Sequence, residues 1–236
     1  MTKSDEYLNQ IKKEFKKNYK TSKKIRYLLD LSKKNGTGYP DAYEYSEEVS
    51  NCLREAFKVI DFDNFDISLI DEKIIDKILL ETLGDNYKLI SDFTEKVQLN
   101  LNRKSGIGLN VVVPKIKKPR INGLIQKFKS YENIKDAKWI LEEPITNFSM
   151  AIVDNLLKEN VKFHYKSGLT PTIKRVNKGG CCEWCSNLAG VYEYPKEVPR
   201  SVFKRHRFCK CQITYDPKEN GEVQDIWSKS WKTTRS

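Results

Sequence analysis

The sequence has little that would place it in a membrane or in the secretory pathway. Its apolar runs fall well short of the ~20 residues that a membrane-spanning helix needs. No apolar segment precedes the charged residues near the amino terminus, which argues against secretion. No internal repeat or low-complexity segment is evident. We therefore expect a protein without membrane partners.

Histidine and methionine are also scarce, with two of each among 236 residues. Charged residues make up 32% of the chain and apolar residues 39%. A chain of 236 residues is long enough to bury one large core or two modest ones. The net charge of +11 lies mostly towards the carboxyl end, where residues 160–236 hold 15 Lys and Arg against seven Asp and Glu. A basic surface attracts phosphate backbones and acidic protein faces, although charge also serves solubility alone.

Residues 1–104 are predicted to form a helical body. Apolar residues recur at helical spacing in four segments, with Ser4 as an N-cap before the first and Gly84 between the last two. Short loops between such helices favour an antiparallel bundle. Cys52, within the second segment, is expected to be buried like a small apolar residue. The segments run from Ser4 to Asn35, from Asp41 to Ile60, from Ile67 to Leu83 and from Tyr87 to Leu101.

The pattern changes in residues 105–120. Glycines, a β-branched run and a basic segment between two prolines predict an extended basic arm or hinge, or a simple crossover between two helical halves. Residues 121–160 return to helical spacing and continue the body. Their longer helix is expected to break at Pro144, because proline lacks an N–H and clashes with the preceding turn.

Residues 161–236 are predicted to form a small cysteine-rich α+β module. Alternation predicts a strand from Val161 to Lys166, followed by strands at Thr172–Val176, Val191–Tyr194 and Cys211–Tyr215. His164 has no acidic neighbour in the sequence, so we interpret it as a structural histidine. The predicted fold class is therefore α+β, with a mostly helical amino-terminal body.

Five of the six cysteines and one histidine lie between Gly179 and Tyr215. A Cys-x-x-Cys pair followed about twenty residues later by a second cluster is the spacing of a zinc site. Reduced structural thiols or disulfides would use the same residues, although a reducing compartment disfavours disulfides. The sequence does not choose four ligands from the five candidates, which are Cys182, Cys185, His206, Cys209 and Cys211.

The two clusters resemble the carboxyl-terminal module of tailed-phage minor head proteins, also called head-morphogenesis proteins. The segment from Cys182 to Gly190 is similar to the family's Cys-x-x-Cys-x-x-Leu-x-Gly turn, and the segment from His206 to Cys211 to its His-Pro-x-Cys-Arg-Cys. Arg207 stands where the family has proline, Lys210 where it has arginine, and residues 177–180 replace its Asp-x-Arg. The resemblance covers about a third of the chain.

This resemblance implies a structural protein of the phage head, found in the virion and in the host cytoplasm during assembly. Its partners would be portal and capsid proteins, and packaged DNA is a further candidate partner. The candidate residues for DNA contact are Lys204, Arg205, Arg207 and Lys210, which crowd the second cluster. The alternatives are a nucleic-acid-binding zinc module and an injected toxin or nuclease effector.

We expect no enzymatic activity. A cysteine beside His206 could act as a nucleophile, but three further cysteines crowd the pair. Glu183 beside the first cluster is reminiscent of zinc deaminases, but the His-x-Glu element that precedes their paired cysteines is absent.

Overall fold

The structure is a computed structural model that describes residues 3–60, 72–179, 182–217, 222–225 and 230–233. It is mostly helical, with a small antiparallel sheet near the carboxyl end, which confirms the predicted α+β class. The helices are α1 (Lys3–Thr21), α2 (Lys23–Lys33), α3 (Tyr39–Phe57), α4 (Glu72–Lys104), α5 (Lys118–Lys129), α6 (Ile134–Ala137), α7 (Glu143–Lys166) and α8 (Glu183–Asn187). The strands are β1 (Thr172–Val176), β2 (Gly190–Glu193), β3 (Gln212–Asp216), β4 (Glu222–Asp225) and β5 (Ser230–Thr233).

Helix α3 packs against α1, α4 and α7 and so occupies the centre of the body. Local chemistry fixes its start. Gly38 is the N-cap, and the Asp41 carboxylate accepts its N–H at 2.7 Å. Pro40 lies in the first turn, where a backbone N–H would have no helical partner, so its missing N–H costs nothing. Cys52 is buried on this helix, as predicted.

The first predicted helix is in fact two helices. Ser22 has an extended backbone, and its hydroxyl oxygen accepts the Ile25 N–H at 3.2 Å, so it is the N-cap of α2. The prediction of one continuous helix was wrong because the apolar spacing does not reveal a serine that stops one helix and starts the next. Helix α1 begins at Lys3, so Ser4 lies inside it instead of before it.

The third and fourth predicted helices are one helix, α4, which runs through Gly84 without a break. A glycine inside a helix costs about 1 kcal/mol relative to alanine, which buried side chains on both sides can offset. Leu79 and Leu83 are fully buried before Gly84, and Ile90 and Val97 after it. The predicted boundary at Gly84 was therefore wrong, and residues 67–71 of the predicted third helix lie outside the described residues.

Residues 107–117 have no regular secondary structure and are hydrogen-bonded to the helices. The Asn160 side chain of α7 accepts the Val112 N–H at 2.9 Å and donates to the Val112 carbonyl at 2.8 Å. Asn102 of α4 donates to the Leu109 carbonyl at 3.0 Å, and the Tyr87 hydroxyl donates to the Pro114 carbonyl. This extended segment therefore lies along α4 and α7.

The predicted interruption at Pro144 is confirmed: α6 and a short 3₁₀ turn (Lys138–Leu141) end before it, and Pro144 lies in the first turn of α7. The strand predicted at Val161–Lys166 was wrong, because α7 continues to Lys166. Val161 and His164 are fully buried on the same side as Leu157. Leu157, Val161 and His164 are three to four residues apart, which is the spacing of one helix face. The alternating pattern of the six residues from Val161 to Lys166 concealed this spacing.

The sheet has the strand order β2-β1-β3, and both pairings are antiparallel. Its strands correspond to three of the predicted ones. Ile173 of β1 and Ile213 and Tyr215 of β3 belong to the same buried cluster as the helices, so the sheet and the helical body share one core. Strands β4 and β5 form a separate antiparallel pair. None of the described helices is long and apolar enough to cross a membrane.

Candidate metal centre

The first cysteine pair lies at the start of the short helix α8. Cys182 is its N-cap and Cys185 falls one turn later, so both thiols point to the same side. Cys182 is exposed, whereas Cys185 is 1% exposed. Cys181, beside them in the sequence, lies outside the described residues.

The second cluster occupies the turn that leads into β3. The Cys209 N–H donates to the His206 carbonyl at 3.2 Å, and Phe208 between them has a positive φ of 61°. This tight turn places His206 and Cys209 beside α8. Cys211, the residue before β3, is buried with Cys209 and Cys185 in a small cluster of their own.

All five predicted ligands meet in one place. Cys182 Sγ and Cys185 Sγ lie 3.3 and 2.9 Å from His206 Nε2, and Cys185 Sγ lies 3.7 Å from Cys209 Sγ. The ligand atoms form two groups, each within 4.8 Å, which share Cys185: Cys182, Cys185 and His206, and Cys185, Cys209 and Cys211. The arrangement could hold a metal ion. The described cysteines form no disulfide, and their separations exceed a sulfur–sulfur bond of about 2.05 Å.

His206 forms a hydrogen bond through Nδ1, the ring nitrogen farther from the thiols, and this bond suits a metal ligand. Its Nδ1 lies 2.5 Å from the Arg207 carbonyl oxygen, which can only accept, so Nδ1 carries the proton. Nε2 then presents its lone pair to the two thiols. A carbonyl that fixes the ring in this way is the usual outer partner of a histidine ligand. The His206 ring also lies nearly perpendicular to the Trp184 ring, with 5.4 Å between their centroids.

Arg175 of β1 was not foreseen as a site residue. Its side chain is buried, and its Nη2 lies 3.6 Å from Cys209 Sγ and 3.9 Å from Cys185 Sγ. Its Nη1 donates to the carbonyls of Val202 and Lys204, which hold the guanidinium in place. A buried cation beside sulfur atoms stabilises them as thiolates, the form that binds metal. One sequence feature could have indicated its burial. Arg175 lies two residues after Ile173, so on a strand the two side chains share the same, buried face.

Burial raises the pKa of the Cys185 and Cys211 thiols, and neighbouring cysteine sulfurs raise that of Cys211 further. Without a metal these thiols would keep their protons and be poor nucleophiles. A bound cation would replace the protons and supply the positive charge that several thiolates in a buried site require. The donor set therefore fits a metal ion of the kind that cysteine and histidine hold.

The residues predicted to contact DNA lie in different environments. The Arg205 side chain is only 2% exposed and forms an ion pair with Asp154, so it is not available to an external phosphate. Arg207 is exposed, lies over the Trp139 ring at 4.4 Å and is 4.0 Å from Glu143. Lys204 and Lys210 are also exposed.

The second histidine, His164, lies apart from the cluster and inside the core. It is fully buried, its Nδ1 lies 3.2 Å from the Tyr215 hydroxyl, and its Nε2 has no hydrogen-bond partner among the described residues. Burial lowers its pKa to about 4. The interpretation as a structural histidine agrees with this setting, although it lies on a helix and not on the predicted strand.

No family model, curated protein or solved structure matches this chain.

Proposed function

We propose that the chain is a structural protein of the head-morphogenesis class, with a carboxyl-terminal module that one zinc ion holds closed. In this proposal the helical body docks onto portal or capsid subunits, and the protein has no catalytic turnover of its own. It would be found in virions and, during assembly, in the host cytoplasm.

One observation supports this proposal most directly. The two segments that carry the family resemblance, from Cys182 to Gly190 and from His206 to Cys211, are 24 residues apart at Cys182 and His206 yet face each other at 3.3 Å. The two segments thus lie together in space, as a shared site requires. The site joins two loops with thiol and imidazole groups, and it lies beside a sheet that shares the core of the helical body. Such a position suits a structural role.

Zinc is the metal that this donor set favours, because sulfur and imidazole nitrogen are its usual ligands in closed structural sites. Bond lengths of ~2.3 Å to sulfur and ~2.0 Å to nitrogen in a tetrahedron imply ligand separations of roughly 3.8 Å between sulfurs and 3.5 Å between sulfur and nitrogen. The observed 3.7 Å between Cys185 and Cys209 and 3.3 Å between Cys182 and His206 lie close to these values, whereas the 2.9 Å between Cys185 and His206 is shorter.

For the ligand set we propose Cys182, Cys185, His206 and Cys209. Cys209 lies in the other group of ligand atoms, so this set requires Cys209 to move towards Cys182 and His206 when the metal binds. The Cys209 sulfur faces N–H groups of Arg175 at 3.6 Å and of Arg205 at 3.9 Å, as a thiolate ligand would. The Cys211 thiol instead donates to the Asn177 side-chain oxygen at 3.4 Å, a contact that requires its proton. Cys211 is therefore assigned to the surrounding shell.

Serine replacements test this assignment. Purified Cys209→Ser should lose bound zinc, and Cys211→Ser should keep about one ion per chain. Loss of zinc in Cys211→Ser but not in Cys209→Ser would instead make Cys211 the fourth ligand. Cys52→Ala is the control, because this thiol is buried on α3, away from the cluster.

Quantitative mass spectrometry of purified phage particles tests the structural role. Complementation with the parent chain should place the protein in particles with portal and capsid subunits. Cys182→Ser/Cys185→Ser should reduce its incorporation, and Cys52→Ala should not. Absence of the parent chain from particles, together with cleavage or modification of nucleic acid by purified protein, would instead support an effector function.

A further inference from the structure

A cleft of about 410 Å³ lies between the start of α5, the middle of α7 and the loop before the second cysteine cluster. Its volume is within the range of small-molecule sites, about 300 to 1,000 Å³. Neither cysteine cluster lines it. The cleft is therefore distinct from the candidate metal centre.

Most charged side chains in the lining of the cleft are cations. Five basic side chains line it: Lys117, Arg120, Lys158, Arg200 and Lys204. The one carboxylate in the lining belongs to Asp154, and both of its oxygens are already engaged. Arg205 donates to each of them, and the Tyr43 hydroxyl donates to Oδ1 at 2.7 Å. The five cations therefore line the cleft without a free counter-charge in its lining, and Arg120 also donates to the Asn147 side-chain oxygen at 2.8 Å.

Elsewhere many basic side chains do have acidic partners, for example Lys12 with Glu81 at 2.8 Å and Lys129 with Asp76 at 2.7 Å. Among the described residues, none of the five cations of the cleft forms an ion pair within 4.0 Å. Burial lowers the pKa of Lys117, the neighbouring Lys158 lowers it further, and Glu159 opposes this only in part. The arrangement concentrates positive charge, which an anion would neutralise.

The lining of the cleft also contains apolar and aromatic side chains. Tyr194, Pro195 and Phe203 belong to it, and the Lys158 ammonium lies 5.9 Å from the Phe203 ring centroid. Aromatic rings beside a basic groove are the usual means of holding the bases of single-stranded nucleic acid, because every base has a face that can stack. A duplex is too wide for a cleft of this volume.

We propose that this cleft binds a nucleoside monophosphate unit, with the phosphate among the five cations and the base against Tyr194 and Phe203. Its source is either a segment of single-stranded nucleic acid or a free nucleotide. The proposal differs from the DNA-contact surface predicted from the sequence, of which only Lys204 lines the cleft. It does not depend on incorporation into phage heads.

The test is the binding of fluorescently labelled oligothymidylate to the full chain at low salt. The variant Lys117→Gln/Lys158→Gln/Arg200→Gln should bind at least roughly tenfold more weakly, because it removes three cations that face the phosphate. The matched control Lys13→Gln/Lys20→Gln/Lys23→Gln removes the same charge from exposed positions on α1 and α2 and should bind as the parent does. The cleft variant should unfold at no lower temperature than the parent, because it removes mutual repulsion.

Competitors identify the ligand. Thymidine monophosphate should displace the oligomer more effectively than inorganic phosphate, and Tyr194→Leu should reduce this advantage by about tenfold. Equal binding of thymidine monophosphate and oligomer, per mole, would identify a free nucleotide; tighter binding of the oligomer would identify single-stranded nucleic acid.

Four results would overturn the proposal. The first is no binding by the parent chain, and the second is an equal loss of affinity in the α1–α2 control. The third is a loss of affinity in Arg207→Gln/Lys210→Gln, at the metal loop, without a loss in the cleft variant. The fourth is inorganic phosphate competing as well as thymidine monophosphate, because the base would then contribute nothing to binding.

Discussion

Arg205 and Asp154 form a buried ion pair that joins the second cysteine cluster to the helical body. The side chains are 2% and 3% exposed, and Arg205 Nη2 lies 3.0 Å from Asp154 Oδ1. The same guanidinium donates to the carbonyls of Cys209 at 3.2 Å and Cys211 at 2.9 Å. One arginine thus connects helix α7 to the backbone that carries two of the candidate ligands.

Breaking this pair from one side should be costly. Asp154→Asn leaves the Arg205 charge buried without its partner, and such changes typically cost 3 to 5 kcal/mol. We expect a decrease of about that size in the free energy of unfolding, measured with urea. The control is Lys210→Ala, which removes an exposed lysine 3.8 Å from Glu47 and should cost less than about 1 kcal/mol. Equal losses in the two variants would contradict a buried, tightly held pair.

His164 should make the fold sensitive to mild acid. Its folded pKa of about 4 lies below the ordinary 6.5, so the unfolded chain takes up the proton first as the pH falls. Stability is therefore full above about pH 6.5, declines as the pH falls to about 4, and declines no further from this group. Between pH 7.5 and pH 5 the loss should be about 2 kcal/mol.

The variant His164→Asn isolates this contribution, because asparagine can accept a hydrogen bond from Tyr215 but does not titrate. Urea unfolding gives the free energy of unfolding of parent and variant at the two pH values. Acid affects the cysteine cluster equally in both proteins, so this effect cancels when their losses are compared. The parent should lose about 2 kcal/mol more than the variant. The same pH dependence in both proteins would show that His164 is not the titrating group.

Gly84→Ala should stabilise the protein by about 0.5 to 1 kcal/mol, because alanine is the better helix former. A Cβ at this position of α4 would meet nothing within 4 Å. The contrasting change is Gly168→Ala, which also has open space but a φ of +94°, so alanine should destabilise there. Thermal unfolding measures both. A destabilising Gly84→Ala would mean that α4 is not continuous at this residue.

Arg175 should matter to metal affinity more than to the fold of the helical body. Replacing a residue that contacts the ligands commonly lowers metal affinity 10- to 100-fold, and we expect about that loss for Arg175→Met in competition with a chelator. Lys174→Gln, an exposed change on the same strand, is the control. Unchanged affinity in the arginine variant would contradict the role assigned to its contacts with Cys185 and Cys209.

The sequence predicted the helical core well and the ends of helices poorly. Apolar spacing identifies a buried face, as at Val49 and Leu53, because burial is what selects those residues. It does not locate a break such as Ser22, where a hydroxyl caps α2, or show that the helix passes through Gly84. These outcomes depend on tertiary packing, which overrides local preference.

At the candidate site, all five predicted ligands meet as their spacing suggested. The surrounding charges were harder to predict. The position of Arg175 two residues after Ile173 indicated the buried face of β1 but not its contacts with the cysteines, and Arg205 within a basic cluster resembled a phosphate contact. Their burial depends on partners distant in sequence, Cys209 for one and Asp154 for the other.

Metal analysis of the purified protein tests the central claim most directly. Protein prepared without chelator should contain about one zinc per chain, and the stoichiometry should fall towards zero in Cys182→Ser/Cys185→Ser and stay near one in Cys52→Ala. Circular dichroism of the same samples should retain most of the helical signal, because the ligands lie outside the long helices. A well-folded parent protein with no bound zinc would contradict the account and leave the cluster as a set of packed thiols.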